Sequence, residues 1–284
     1  MIRVNNTYIV TCKRKAFAEI WLMKKFILLL IPIALSITSF AQIDSLSKFA
    51  YLIYSPFEDS LVKGTCFFTK VKNKTYLITA NHVLTGNDPM TFKKFHRQLK
   101  PWVRIKSSYS KQDTFLGVEL CKDTLLSHYY DKPDLAIIEF KNPEKFDINY
   151  INGFFEYQNS QHIRQPSSIV AVGYGGSKEF KNPDSLFLIE PEFLIGVINT
   201  DINRKDIFQH PTGYDRINYL ADSVLITTNS MHGFSGCPAF LFYDNKPPIF
   251  GGVVIGQAGY SAIIVRPEFI YKELIRVSGR KRIK

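Results

Sequence analysis

The chain carries only four cysteines in 284 residues, none of them in a Cys-x-x-Cys pair, and it contains no His-Glu-x-x-His string. Without either ligand spacing a metal centre has no support, and no cofactor is expected. Cys12 lies in a segment expected to be removed, which leaves Cys66, Cys121 and Cys237. An odd number of thiols cannot all pair within one chain, and a bridge between Cys66 and Cys121 stays open for an oxidising compartment. The extended apolar run, residues 26–37, falls short of the ~20 residues that a spanning helix needs, so no stable membrane insertion is expected of the mature chain. There is no internal repeat and no low-complexity tract. Basic residues outnumber acidic ones, 36 to 25, but no stretch interleaves them with aromatics, so no nucleic-acid partner is expected.

What the first 41 residues do contain is an export signature. Met23-Lys24-Lys25 is a positive start, residues 26–37 form the apolar run, and Ser39-Phe40-Ala41 places small residues at both recognition positions ahead of Gln42. Residues 1–41 are read as an N-terminal extension and signal peptide with Met23 as initiator, which implies a periplasmic or secreted protein. Six of the 36 basic groups and one of the 25 acidic groups fall in this segment, so the net charge of +11 drops to +6 without it. Four more basic groups sit in the tail Arg280-Lys281-Arg282-Ile283-Lys284, which reads as a solvated end.

The rest of the chain is a succession of short runs rich in Ile, Val, Phe and Tyr, divided by turn clusters such as Gly86-Asn87-Asp88-Pro89. Strands are predicted over 64–71, 75–79, 102–106, 135–140, 168–173, 193–199, 223–227, 239–242, 249–256 and 262–265. Helical spacing is clear only after Pro267, at Glu268, Phe269, Ile270, Leu274 and Ile275. Such a pattern predicts an all-β chain of two antiparallel barrels rather than an alternating α/β fold. The expected division is a first barrel over 42–150, a polar crossing over 151–166, a second barrel over 167–267 and a helix with a basic tail over 268–284.

Three stretches carry chemistry. In Gly233-Phe234-Ser235-Gly236-Cys237-Pro238 a serine stands between glycines. Gly233 can adopt backbone angles closed to other residues, letting the N–H groups of Gly233 and Ser235 turn toward one developing oxyanion. A serine hydroxyl is a weak nucleophile at neutral pH and needs an imidazole to take its proton and a carboxylate to fix the tautomer of that imidazole. The apolar run Leu77-Ile78-Thr79-Ala80-Asn81-His82 ends in one, and Asp134-Leu135-Ala136-Ile137-Ile138 opens with the other. His82, Asp134 and Ser235 are therefore the candidate catalytic residues. His96, His128, His162 and His210 lack such surroundings and read as ordinary polar residues.

These motifs, with Gly64-Thr65-Cys66-Phe67-Phe68 ahead of them, resemble the trypsin-like serine peptidases, closer to the bacterial and HtrA-type branch than to the digestive enzymes. The resemblance implies two six-stranded Greek-key barrels and a serine endopeptidase acting on a protein or peptide substrate. It also implies that Asn229 lies at the base of the specificity pocket beside Ser230, that His232 lies on its rim, and that Val254, Ile255 and Gly256 form its wall. A neutral Asn229 disfavours cleavage after Lys or Arg. Two positions depart from the family: Cys237 stands where a glycine is usual, and Phe234 where asparagine or aspartate is frequent. No basic residue followed by Ile-Val-Gly-Gly is present, so activation by a newly freed N-terminus is not expected, nor is a PDZ module after the final helix. The competing readings are a binding protein that keeps the fold without turnover, an acyl hydrolase for simple esters and, more weakly, a basic nucleic-acid binder. N-terminal sequencing of the exported protein is expected to start at Gln42; a start at Met1 or Met23 would overturn the signal reading.

Overall fold

The computed structural model describes residues 43–58, 61–86, 102–107, 116–119, 124–130, 133–152, 168–175, 191–196, 223–227, 233–243, 246–258 and 261–279. The expected signal segment and most of the expected crossing at 151–166 lie outside them. Among the described residues no helix is long and apolar enough to cross a membrane.

The strands from residues 51 to 140 form one sheet: β1 (Tyr51–Pro56), β2 (Leu61–Val71), β3 (Lys74–Thr79), β4 (Trp102–Ser107), β5 (Leu116–Glu119), β6 (Thr124–Tyr130) and β7 (Leu135–Phe140). Their order is β5-β4-β1-β2-β3-β7-β6. A second sheet holds β8 (Ser168–Gly173), β9 (Glu192–Gly196), β10 (Ser223–Thr227), β11 (Pro238–Phe242), β12 (Ile249–Ala258) and β13 (Ser261–Val265), in the order β10-β13-β12-β11-β8-β9. Two helices are relevant to the site or its packing, α1 (Asn81–Thr85) and α2 (Pro267–Ser278). The ten predicted strands are all present. The expected late helix starts at Pro267, whose fixed φ and missing N–H suit a first helical turn.

The expectation of two closed six-stranded barrels is wrong. The first sheet has seven strands and the second six, and both orders are linear, with no ladder among the described residues joining β5 to β6 or β10 to β9. Closure needs edge strands that meet with matching tilt and stagger, and among the described residues β5 with β6, and β9 with β10, do not pair. β1 was not anticipated, and it occupies the middle of its sheet, pairing β2 on one side and β4 on the other.

Burial explains which strands dominate. β1 and β7 are buried at every position, and Leu52, Ile53, Leu77, Ile78, Leu135 and Ile137 are among the largest fully enclosed side chains. Covered on both faces, these strands read as continuous apolar runs rather than alternating ones. Glu139 is the charged exception on β7, and Lys74 Nζ donates to its carboxylate at 3.0 Å. β2 and β3 are joined through Lys72 and Asn73, both with positive φ (49° and 62°), the mirror-image turn that matches the strand twist.

In the second sheet, Ile169, Ala171, Leu194, Leu241, Val254 and Ile264 pack with Phe234 and Cys237 into one cluster. Ile270, Leu274 and Val277 are buried at helical spacing on α2, which lies against β12 and β2. Replacing Ile137, fully buried, by alanine is expected to lower unfolding free energy by about 2–5 kcal/mol. Ile195→Ser, at a position 57 % exposed, should change it by less than about 0.5 kcal/mol. Urea unfolding midpoints at constant slope check both.

Candidate active site

β3 ends at Thr79 beside Ala136 at the start of β7, so the segments that follow one strand and precede the other are neighbours. α1 begins at Asn81, and the Gly86 N–H closes it on the His82 carbonyl at 2.8 Å. Asp134 lies in the turn just before β7 and is almost wholly buried, at 3 % exposure. Its carboxylate is used twice on one residue. Oδ1 accepts the His82 backbone N–H at 2.9 Å, and Oδ2 lies 2.5 Å from His82 Nδ1. The Asn81 N–H donates to the Asp134 carbonyl at 3.3 Å. A buried carboxylate that accepts from Nδ1 keeps the proton on that nitrogen and leaves Nε2 as the basic one. The His82 side chain remains 16 % exposed.

Ser235 sits in a turn between β10 and β11. Gly233 and Gly236 on either side both have φ +88°, a conformation glycine takes at little cost. Bulk is excluded at both. A Cβ on Gly236 would collide with the Thr65 carbonyl and the Thr79 hydroxyl and approach the Ala80 nitrogen to 2.9 Å; one on Gly233 would collide with the Tyr174 carbonyl. The serine turn is thus seated on the junction between β3 and α1, two residues before His82.

Backbone bonds hold it there. The Thr65 N–H donates to the Ser235 carbonyl at 2.8 Å, the Gly236 N–H to the Val254 carbonyl at 2.7 Å, the Cys237 N–H to the Phe234 carbonyl at 2.9 Å, and the Val254 N–H to the Cys237 carbonyl at 3.0 Å. Thr65, which the motif search did not single out as functional, is a hub. Its hydroxyl donates to the Gly233 carbonyl at 3.1 Å and accepts from the Tyr174 N–H at 3.1 Å, while its carbonyl accepts from the Thr79 hydroxyl at 2.7 Å. No local signal marks it, since β2 also carries Thr69 and Lys70 among its apolar residues. Lys63 Nζ donates to the Gly175 carbonyl at 2.7 Å. Burial pushes the Lys63 ammonium below its usual range, and the nearby Glu192 carboxylate acts in the opposite direction.

The specificity residues fare differently. Asn229, Ser230 and His232 lie outside the described residues. Val254 places its side chain in the second sheet's core and contributes its backbone to the serine turn. Ile255 is the extra residue of a bulge between Val254 and Gly256 and is fully buried, and a Cβ on Gly256 would meet open space. Cys66 and Cys237 are free, enclosed thiols whose pKa values burial pushes well up; Cys121 lies outside the described residues. Among the described residues no group of three or more His, Cys, Asp or Glu side chains is placed to hold a metal ion.

No protein-family model and no curated protein matches this chain. Solved structures do. The Rv3671c protease from M. tuberculosis in its active form is similar with a TM-score of 0.51 at 14% identity, over 86% of each chain. A thermostable serine protease, AL20, from an extremophilic microorganism is similar with a TM-score of 0.50 at 11% identity, over 83% of this chain and 99% of that one. At such identities the likeness is one of fold: the chain shares the fold of these two proteases. Thr65→Val keeps the shape and removes the hydroxyl from two buried backbone partners. It is expected to cost about 1–3 kcal/mol in urea unfolding, and an unchanged midpoint would show that the hub is not needed.

Proposed function

We propose that the chain is an exported serine endopeptidase of the HtrA-like branch, with Ser235 as nucleophile, His82 as general base and acid, and Asp134 as orienting carboxylate. The observation that carries this reading is the double grip of the Asp134 carboxylate on the backbone N–H and Nδ1 of His82. Held in this way, the imidazole keeps one tautomer and one direction. Structural needs alone do not ask for a buried carboxylate to spend both oxygens on a single histidine.

In the proposed reaction Nε2 of His82 takes the Ser235 hydroxyl proton as the oxygen attacks the scissile carbonyl. The Gly233 and Ser235 N–H groups stabilise the oxyanion, and His82 returns the proton to the leaving amine. Water then attacks the acyl-enzyme by the same route in reverse. The glycine conformations flanking Ser235 and the seating of its turn beside Ala80 support this assignment. The neutral Asn229 supports a preference for uncharged side chains before the cleaved bond, with Ser230, His232 and the bulge at Ile255 shaping the pocket. The segment over 1–41 supports export to the periplasm or medium.

Intact mass before and after a fluorophosphonate tests the proposal. One adduct is expected on the wild type and none on Ser235→Ala or His82→Ala. Asp134→Asn should lower kcat on a peptide substrate by about 10⁴-fold, as loss of the orienting carboxylate does in such triads. A folded wild type that takes no adduct overturns the active-peptidase reading in favour of a binding protein on this fold. An adduct with turnover of simple esters but not of peptides would point to an acyl hydrolase.

A further inference from the structure

Lys63 reaches from the first sheet to a backbone carbonyl of the second, 112 positions away in sequence. Its acceptor, Gly175, follows β8 directly. Glu192 opens β9 opposite Gly173, so its carboxylate returns to the same place, and a Cβ on Gly175 would collide with it. The two charges therefore meet at one glycine, the cation on its carbonyl and the anion over its α-carbon. The other side of this segment faces the serine turn. Around Gly233, a Cβ would collide with the Tyr174 carbonyl and stand 3.2 Å from both the Gly175 carbonyl carbon and Lys63 Cε.

We propose that Lys63, together with Glu192, is a positioning residue for the nucleophile: it clamps the Tyr174-Gly175 segment over Gly233 and so fixes the direction of the peptide leading into Ser235. This rests on the serine-peptidase reading. As a glycine Gly233 has a wide choice of backbone angles, and a rotated peptide there would carry an N–H away from the oxyanion. Preorganised donors are effective because they need no rearrangement when charge develops. Phe234, buried in the second sheet's core, anchors the turn from below, and the Lys63 clamp closes it from the side of the first sheet.

The test compares wild type, Lys63→Met, Lys63→Arg, Glu192→Gln and Lys74→Met. The last removes the Lys74–Glu139 ion pair elsewhere on the first sheet and serves as control. Lys63→Met should lower kcat and the fluorophosphonate labelling rate of Ser235 by about 10- to 100-fold with KM little changed, since small displacements at a reacting centre cost rates of this order. Lys63→Arg should recover most of the loss, Glu192→Gln should fall between, and Lys74→Met should match wild type. Wild-type rates in Lys63→Met, or an equal loss in Lys63→Arg, would overturn the proposal. Amide hydrogen exchange supplies a reading that needs no activity. Lys63→Met should speed exchange at residues 174–175 and 233–236 and nowhere in β1 or β7. Unchanged exchange there overturns the clamp even if wild type takes no adduct, an outcome that by itself counts only against the triad.

Discussion

The 2.8 Å hydrogen bond from the Thr65 N–H to the Ser235 carbonyl ties the two sheets at one point, and the chemistry of the chain is gathered within a few residues of it. Thr65 belongs to β2, the neighbour of the strand that leads to His82, and Ser235 to the turn that precedes β11. The same threonine reaches Gly233 and Tyr174 through its hydroxyl and Thr79 through its carbonyl, so three other segments meet at one residue. Each such bond contributes only about 1 kcal/mol net, but a buried group stripped of its partner costs more than the bond supplied. Cooperation between the sheets therefore comes less from strong attraction than from the penalty for separating them.

Phe234 and Cys237, the unusual residues of the serine motif, have a packing explanation. Both turn into the core of the second sheet, beside Ala171, Leu194 and Ala239. Gly173 provides the room: a Cβ there would stand 2.8 Å from the Cys237 Cβ and 3.0 Å from the Phe234 ring. A larger side chain on one strand has been matched by the smallest on its neighbour. The turn is held from beneath by apolar burial, while Thr65 bonds it from above through the Gly233 and Ser235 carbonyls.

Much of this was legible in the sequence because chemistry and strand pattern coincide. The runs ending at His82 and starting at Asp134 are strands whose register brings those residues together, and Ser235 stands in the glycine-flanked turn its motif required. Closure of the sheets was not legible. It depends on pairing between distant edges, and β1, with Tyr51, Leu52, Ile53 and Tyr54 all buried, offers a continuous run with no alternation and a proline at its end. β5 is four residues long and contains Gly117, which is too little for a periodic signal. Thr65 and Lys63 were hidden for another reason: their roles lie in contacts made more than 100 residues away, and no local pattern encodes them.

The enclosed thiols give this seam a chemical signature. Cys66 follows Thr65 and Cys237 lies two residues after Ser235, one on each side of the junction, and both are fully buried and free. Oxidants and alkylating agents act on thiolates, and burial keeps both sulfurs protonated and out of reach. The folded chain thus carries two reducing groups that stay silent even in an oxidising medium. Only unfolding would uncover them, so thiol labelling of this chain reads the opening of its core rather than the surface of its site.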